Sequence, residues 1–401
     1  MKETGIFTIV SPLHDAKAVE SMTSEYLSGL GIDYDFLGDD FSQYGSRPLD
    51  IIFVCTGGTE GVLLKLLPSL RAASSSPVYL LASDKNNSLP ASMEILSYLR
   101  QNGIEGEIFH GEAKAVGKRI QARARAEAAR RRLQGIRLGV IGQPSDWLIS
   151  SKADYEKIKE RLGVEIIDIP MQELLDEISK TPIGVSSYDA PTEEIRRSLP
   201  GAEQIYEALG KIVERHGLQG FTLRCFDLLT AVKNTGCLAL AQFNSEGIVA
   251  GCEGDVPTMI SMTIAQAVTG KPAFQANPAY TKDDGHVLFA HCTIPFSLTE
   301  RFELDTHFES GIGVGIRGYV KPGLVTIFKV AGDMSRYFID LAELEECQGA
   351  PGLCRTQMLV KTSSDQWKNY FANNPIGNHH VIITGDYLDT INVLMRDVIG
   401  E

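Results

Sequence analysis

The 401-residue chain has no run of about 18 or more apolar residues, so it offers no candidate membrane-spanning helix. Its first residues, "MKETGIFTIVSPLHD", lack the basic start and long apolar stretch of a signal peptide, and they read as a first strand. The seven cysteines show no paired framework and no zinc-type CxxC, a pattern that suits reduced thiols and a cytoplasmic location. An excess of positive charge is also missing. The net charge of −13 argues against general affinity for nucleic acid or anionic lipid. Hydrophobic residues are plentiful at 43%, enough for two or three domains with cores of their own.

Strand-like and helical patterns alternate through residues 1–115: "IFTIV", a helical Ala16 to Leu30, "YDFL", "DIIFV", a helical "GTEGVLLKLLPSLRAA", "PVYLLAS", a helical "SLPASMEILSYLRQNG" and "GEIFHG". This alternation predicts a doubly wound, flavodoxin-like parallel sheet of about five strands. The alanine- and arginine-rich stretch at 116–133 reads as a solvated connecting helix, because a nucleic-acid face fits poorly with an acidic whole. A second α/β domain is expected over 134–272, with "IRLGVIG", "VEIIDI", "GFTLRCF" and "GIVAGC" as strands. Past residue 272 the helical rhythm fades. "HVLFAHCTI", "YVKPGLVTIFKVAG" and "HHVIITGD" predict a β-rich domain over 273–401 with a helix near its end.

Ligands in open α/β sheets bind beyond the carboxyl ends of the strands. "CEGD", between "GIVAG" and "VPTMISMTIAQAVTG", puts Glu253 there. Asp255, just before Val256 and Pro257, suits the cap of the next helix, which leaves Glu253 without a structural task. His379 and His380 are adjacent in a strand-like run, so only one can face a given site. His291 in "AHC" is a further imidazole, and one carboxylate with two imidazoles and an oxygen donor suits a divalent metal.

Other stretches are weaker candidates. Gly57, Gly58 and Thr59 lie between a strand and a helix, where backbone N–H groups hold anions, yet tight-turn glycines explain them equally and the Walker lysine is missing. "GIGVGIRG" is followed by a strand instead of a helix and is set aside as a dinucleotide motif. Ser145, Asp146 and Trp147 in "IGQPSDWL" follow a strand and suit either a sugar site or a polar loop. Cys252 and Cys292 read as space-fillers, and Asp283 and Asp284 in "KDDG" as a hairpin turn.

Two α/β domains and a β-rich third, with "CEGDV", "VTG", "PAFQAN" and "GNHHVIITGD", resemble the L-fucose isomerase and L-arabinose isomerase superfamily, above all its shorter fucose-isomerase-like members. In fucose isomerases a glutamate begins a helix ending in "LTG", and an aspartate follows 24 positions later. Glu253 matches the glutamate, and the position 24 residues on is Asn277. The family's late "NH" matches Asn378 and His379, and His291 resembles the middle histidine ligand of arabinose isomerases.

The resemblance implies a Mn²⁺-type ion held by Glu253, Asn277 and His379 together with His291, and aldose–ketose isomerisation of an open-chain pentose or 6-deoxyhexose through an enediolate. Glu253 would be ligand and base together, with Asn378, Trp147 and Ser145 binding substrate. It also implies a closed homo-oligomer, a trimer or hexamer, in which neighbours complete the cleft. Asn277 departs from the family because an amide can ligate through its oxygen but cannot carry a proton. The competing reading is a non-catalytic sugar-binding or regulatory protein that kept the cleft and lost part of the chemistry.

Overall fold

The computed structural model describes residues 2–14, 16–186, 188–364 and 366–400. The chain divides into two compact units, residues 1–131 and 132–401. The first contains β1 (Thr4–Ile9), α1 (Ala16–Gly29), β2 (Asp35–Gly38), β3 (Leu49–Val54), α2 (Glu60–Ala73), β4 (Val78–Ala82), α3 (Ser88–Gln101), β5 (Gly106–His110) and most of α4 (Ala113–Leu133). Its strands form the parallel five-stranded sheet expected from the alternating pattern, in the order β2-β1-β3-β4-β5 found in flavodoxin-like domains. All six residues of β3 are buried because both faces of the sheet are covered. Ile51 and Phe53 pack with Val116 and Ile120 of α4 on one face, while Ile52 and Val54 pack with Leu63, Leu70, Ile95 and Leu99 of α2 and α3 on the other.

The α4 helix departs from the solvated connector expected of its composition. Ala122, Ala124, Ala126, Ala128 and Ala129 are all buried, and a Cβ at Gly117 would stand 1.9 Å from the carbonyl oxygen of Leu30. Alanine and glycine here allow close approach, while Arg119, Arg130 and Arg131 are exposed and Arg123 is largely buried.

The second unit opens with β6 (Arg137–Ile141), α5 (Tyr155–Leu162), β7 (Glu165–Ile169), α6 (Met171–Lys180), α7 (Glu193–His216) and β8 (Gly220–Leu223). Then come α8 (Phe226–Ala231), α9 (Cys237–Ser245), β9 (Val249–Cys252) and α10 (Val256–Thr269). Strands β7-β6-β8-β9 make a second parallel sheet. "GFTLRCF" is strand only to Leu223, and α8 and α9 supply the crossover to β9, two helices that the apolar pattern did not announce.

The β-rich remainder comprises β10 (Phe274–Thr281), β11 (His286–His291), β12 (Arg301–Asp305), β13 (Gly315–Tyr319), β14 (Gly323–Val330), β15 (Tyr337–Gln348), β16 (Thr356–Lys361), α11 (Gln366–Asn373), β17 (His380–Thr384) and α12 (Leu388–Ile399). Six of its strands close a barrel, β10-β11-β16-β15-β14-β17, with β12 and β13 forming a separate pair. Closure is made by β17, which pairs with both β10 and β14. Phe274, Phe289, Ile327, Phe338, Met358 and Ile382 share one buried cluster with Trp367 and Tyr370 of α11. No helix among the described residues is long and apolar enough to cross a membrane.

Candidate metal centre

Three loops leave the carboxyl ends of β6, β8 and β9, and residues of two of them converge with the ends of two barrel strands. The turn after β9 is the tightest. Glu253 and Gly254 are both left-handed, with φ of 64° and 69°. Glycine adopts this conformation freely, but for a glutamate it costs about 1–2 kcal/mol. Its backbone is over-determined: the Glu253 carbonyl accepts from the Ser145 N–H (2.9 Å), and the Gly254 N–H donates to the Leu223 carbonyl (3.0 Å). A Cβ at Gly254 would lie 2.5 Å from the Gln143 carbonyl oxygen, so the loop after β6 can seat against this turn only because residue 254 is glycine.

This turn sends the Glu253 carboxylate inward, 8% exposed, toward two histidines. Glu253 Oε1 lies 3.3 Å from His379 Nε2 and 3.7 Å from His291 Nε2. The ligand atoms of Glu253, His291 and His379 all lie within 4.8 Å of one another. The other ring nitrogens are occupied: His291 Nδ1 is 2.9 Å from Thr293 Oγ1, and His379 Nδ1 is 2.9 Å from Asp255 Oδ2. His379 Nε2 is fully buried and has no aligned hydrogen-bond partner among the described residues, despite its closeness to Glu253. A buried nitrogen without an aligned partner is costly, and a divalent cation among these three groups would satisfy it. Carboxylate and imidazole donors suit Mn²⁺, Zn²⁺ or Fe²⁺ chemistry.

Charge follows from the same contacts. Burial pushes the Glu253 carboxyl up, but His291 and His379 pull it down further, so it is held well below the usual carboxylate range. Burial likewise opposes charge on His379, and the Asp255 and Glu253 carboxylates more than reverse this, raising it to about 9. Burial lowers His291 despite the help of Glu253, and it lowers His307 to about 4. Without metal, the centre at neutral pH is therefore a carboxylate, an imidazolium and a neutral imidazole.

Asp255 caps α10 as the sequence implies, its Oδ1 accepting from the Thr258 N–H at 2.9 Å. It also reaches His379 with its other oxygen and pairs with Lys329 Nζ at 3.5 Å. Of the adjacent histidines, His379 faces Glu253, while His380 faces the Tyr370 hydroxyl at 2.8 Å and is pushed down to about 3 by burial. Asn277 Oδ1 accepts from Asn378 Nδ2 at 3.0 Å. One step past the last paired residues of β10 and β17, Ala276 and His380, their register sets Asn277 across from His379.

On the open side, Trp147 Nε1 donates to Glu253 Oε2 at 2.6 Å, with the residue half exposed. Its ring meets Phe226 edge-on at 4.8 Å, and Phe226 meets the His307 ring at 5.5 Å. Arg224 clamps the Trp147 loop, donating to the Pro144 carbonyl at 2.8 Å and pairing with Asp146 at 2.8 Å. Ser145 Oγ is buried and has no hydrogen-bond partner among the described residues. Phe226 and His307 were not singled out from the sequence. Phe226 begins a helix that was missed, and His307 follows a strand that no alternation marked.

The remaining candidates have local partners. The Gly57 N–H donates to the Asn86 carbonyl at 2.7 Å, which leaves that loop one donor fewer for an anion. Cys252 and Cys292 are buried free thiols, and Cys252 Sγ lies 2.9 Å from Cys225 Sγ. Asp284 is exposed in the β10–β11 turn and bonds His286.

No family model matches the chain. It is 26% identical over 242 residues to proteins named sulfoquinovose isomerase from Priestia megaterium and Priestia aryabhattai, covering 55% of this chain and 53% of theirs. A protein of the same name from Alkalicoccus urumqiensis is 21% identical over 265 residues, 61% of this chain and 59% of that one. The chain thus spans about half the length of the curated relatives it matches. At modest identity over about half its length, it has homologues named sulfoquinovose isomerase, members of the fucose and arabinose isomerase-like group of sugar isomerases.

Proposed function

We propose that the protein is a divalent-metal-dependent aldose–ketose isomerase of sugars. The observation that carries this reading is the convergence of the Glu253 carboxylate with the Nε2 atoms of His291 and His379, their ligand atoms all within 4.8 Å of one another. Mn²⁺ is the ion the reading assigns, held by these three residues and by the Asn277 amide oxygen, which has a second lone pair beyond its bond to Asn378. The bound ion would supply Lewis-acid polarisation of the open-chain carbonyl.

The chain's own residues do the rest. Glu253 is ionised and takes the proton from the carbon beside the carbonyl, then returns it to the former carbonyl carbon. The adjacent hydroxyl proton passes to the former carbonyl oxygen, so an aldose becomes a ketose with no net change in atoms or electrons. Trp147 holds Glu253 Oε2 through its indole N–H and offers its half-exposed face to the sugar's C–H groups. Asn378 and Ser145 are assigned hydrogen bonds to substrate hydroxyls. The substrate class is a pentose or a 6-deoxyhexose-type sugar, with sulfoquinovose added to the candidates by the relatives' name. A homo-oligomer in the cytoplasm completes the reading.

The test is metal content after purification without chelator, followed by an isomerase assay on pentoses, 6-deoxyhexoses and sulfoquinovose. Stoichiometric divalent metal, lost in Glu253→Ala/His379→Ala, and turnover of one sugar class are expected. Metal and sugar binding without turnover would instead establish the non-catalytic sugar-binding protein, a reading that Asn277 favours. Asn277→Asp restores a carboxylate with almost no change in size, and it is expected to tighten Mn²⁺ binding and raise turnover modestly. A loss of turnover would show that the centre is built for a neutral ligand. Wild-type metal affinity in Asn277→Ala would remove Asn277 from the ligand set.

A further inference from the structure

We propose that Asp255 is a positioning residue for the metal, acting through His379, and that helix capping is only half of its role. The inference rests on the metal-site reading above. A cap needs one acceptor oxygen, and Oδ1 meets that need at Thr258. Serine, threonine or asparagine would serve as well there. Instead the chain buries a carboxylate completely and buries Lys329, 1% exposed, beside it. Taking two charges out of water is expensive, and a helix start does not require it.

The second oxygen accounts for the choice. Asp255 Oδ2 stands 2.9 Å from His379 Nδ1, and an acceptor-only carboxylate there requires that nitrogen to carry a hydrogen. With the proton fixed on Nδ1, the Nε2 lone pair faces Glu253 Oε1 at 3.3 Å, where the metal would sit. A carboxylate behind a histidine ligand sets its tautomer and ring orientation and makes it a better donor. Lys329 and Thr258 hold the carboxylate in that rotamer: Lys329 Nζ donates to the Thr258 hydroxyl and pairs with Oδ1, so Oδ2 is left for the histidine. Because α10 is buried along nearly its whole length, the cap, the lysine and the histidine are registered against one rigid element.

Two variants separate capping from positioning. Asp255→Ser keeps a good cap but is too short to reach His379. Asp255→Asn/Lys329→Met keeps cap and shape while removing both buried charges. Mn²⁺ affinity, measured by titration calorimetry on protein shown by circular dichroism to be folded without metal, is expected to fall about 10–100-fold in each. Unchanged affinity in both folded variants, with the wild type binding Mn²⁺, overturns the proposal and leaves the metal site standing. A wild type that binds no divalent ion overturns the metal site and this proposal with it. Should either variant fail to fold, ¹⁵N-histidine spectra of the Zn²⁺-loaded wild type decide, with the His379 signal assigned by its loss in His379→Gln. A hydrogen on Nδ1 is expected, and a metal-bound Nδ1 refutes the role.

Discussion

Glu253→Gln is expected to lower sugar isomerase turnover by about 10²–10⁴-fold, the range for loss of a positioned general base. Glutamine keeps the length and shape of the side chain, so the turn after β9 and the Trp147 hydrogen bond can persist. What disappears is the ability to accept a proton from carbon and the negative charge between the two imidazoles. Both losses act at one residue, so they must be separated by experiment. The rate at saturating Mn²⁺ reports proton transfer, and the Mn²⁺ concentration needed for half the rate reports ligation. Undiminished turnover at saturating metal would take Glu253 out of the proton transfer and leave it as a ligand alone. Burial and the left-handed backbone at this position make a purely structural glutamate implausible, because a glycine or asparagine would adopt the same turn with less strain.

The parts of this site that were legible in the sequence are those written locally. Strand–turn–helix punctuation around "CEGD" placed Glu253 beyond a strand end and Asp255 at a helix start. Strand alternation required His379 and His380 to face apart, and the structure sends them to Glu253 and Tyr370 respectively. The five-stranded parallel sheet of the first unit followed from regular strand–helix alternation. What stayed hidden depends on partners distant in the chain. Asp255 and His379 are 124 residues apart, and nothing in either neighbourhood announces the other. Lys329 sits in a β14 run whose alternation says only which face it shares, not that an acid is buried opposite. Barrel closure through β17 is a matter of pairing order, to which periodicity is blind. The α4 misreading has a different cause. Alanine contributes little to an apolar stripe, so a helix that packs through close approach looks polar when judged by composition alone.

Divalent-metal affinity is expected to rise with pH, by about tenfold per unit while His379 remains protonated in the metal-free protein, because binding must release that proton. The paired carboxylates raise His379 from 6.5 to about 9, so the slope should extend through neutral pH and flatten near 9 instead of near 6.5. Between pH 6.5 and 8.5 the gain is about 100-fold. His291 adds less to this slope, since burial holds it below its ordinary value.

The stability of the metal-free protein should move the opposite way. A group whose folded pKa is raised above its unfolded value stabilises the fold fully below the unfolded value, and that contribution disappears as pH rises through the folded one. His379 therefore contributes on the order of 3 kcal/mol below about pH 6.5 that is lost by about pH 9. Glu253 and Asp255 are held below the usual carboxylate range, so their contributions are lost only as pH falls through acid and they stay silent here. Melting curves with and without Mn²⁺ at pH 6.5 and 9 should accordingly diverge, the metal-free curve falling while the loaded one holds. Parallel curves, together with a flat affinity across the window, would mean that His379 enters the site already neutral and that Asp255 and Glu253 do not share a proton-bearing imidazole.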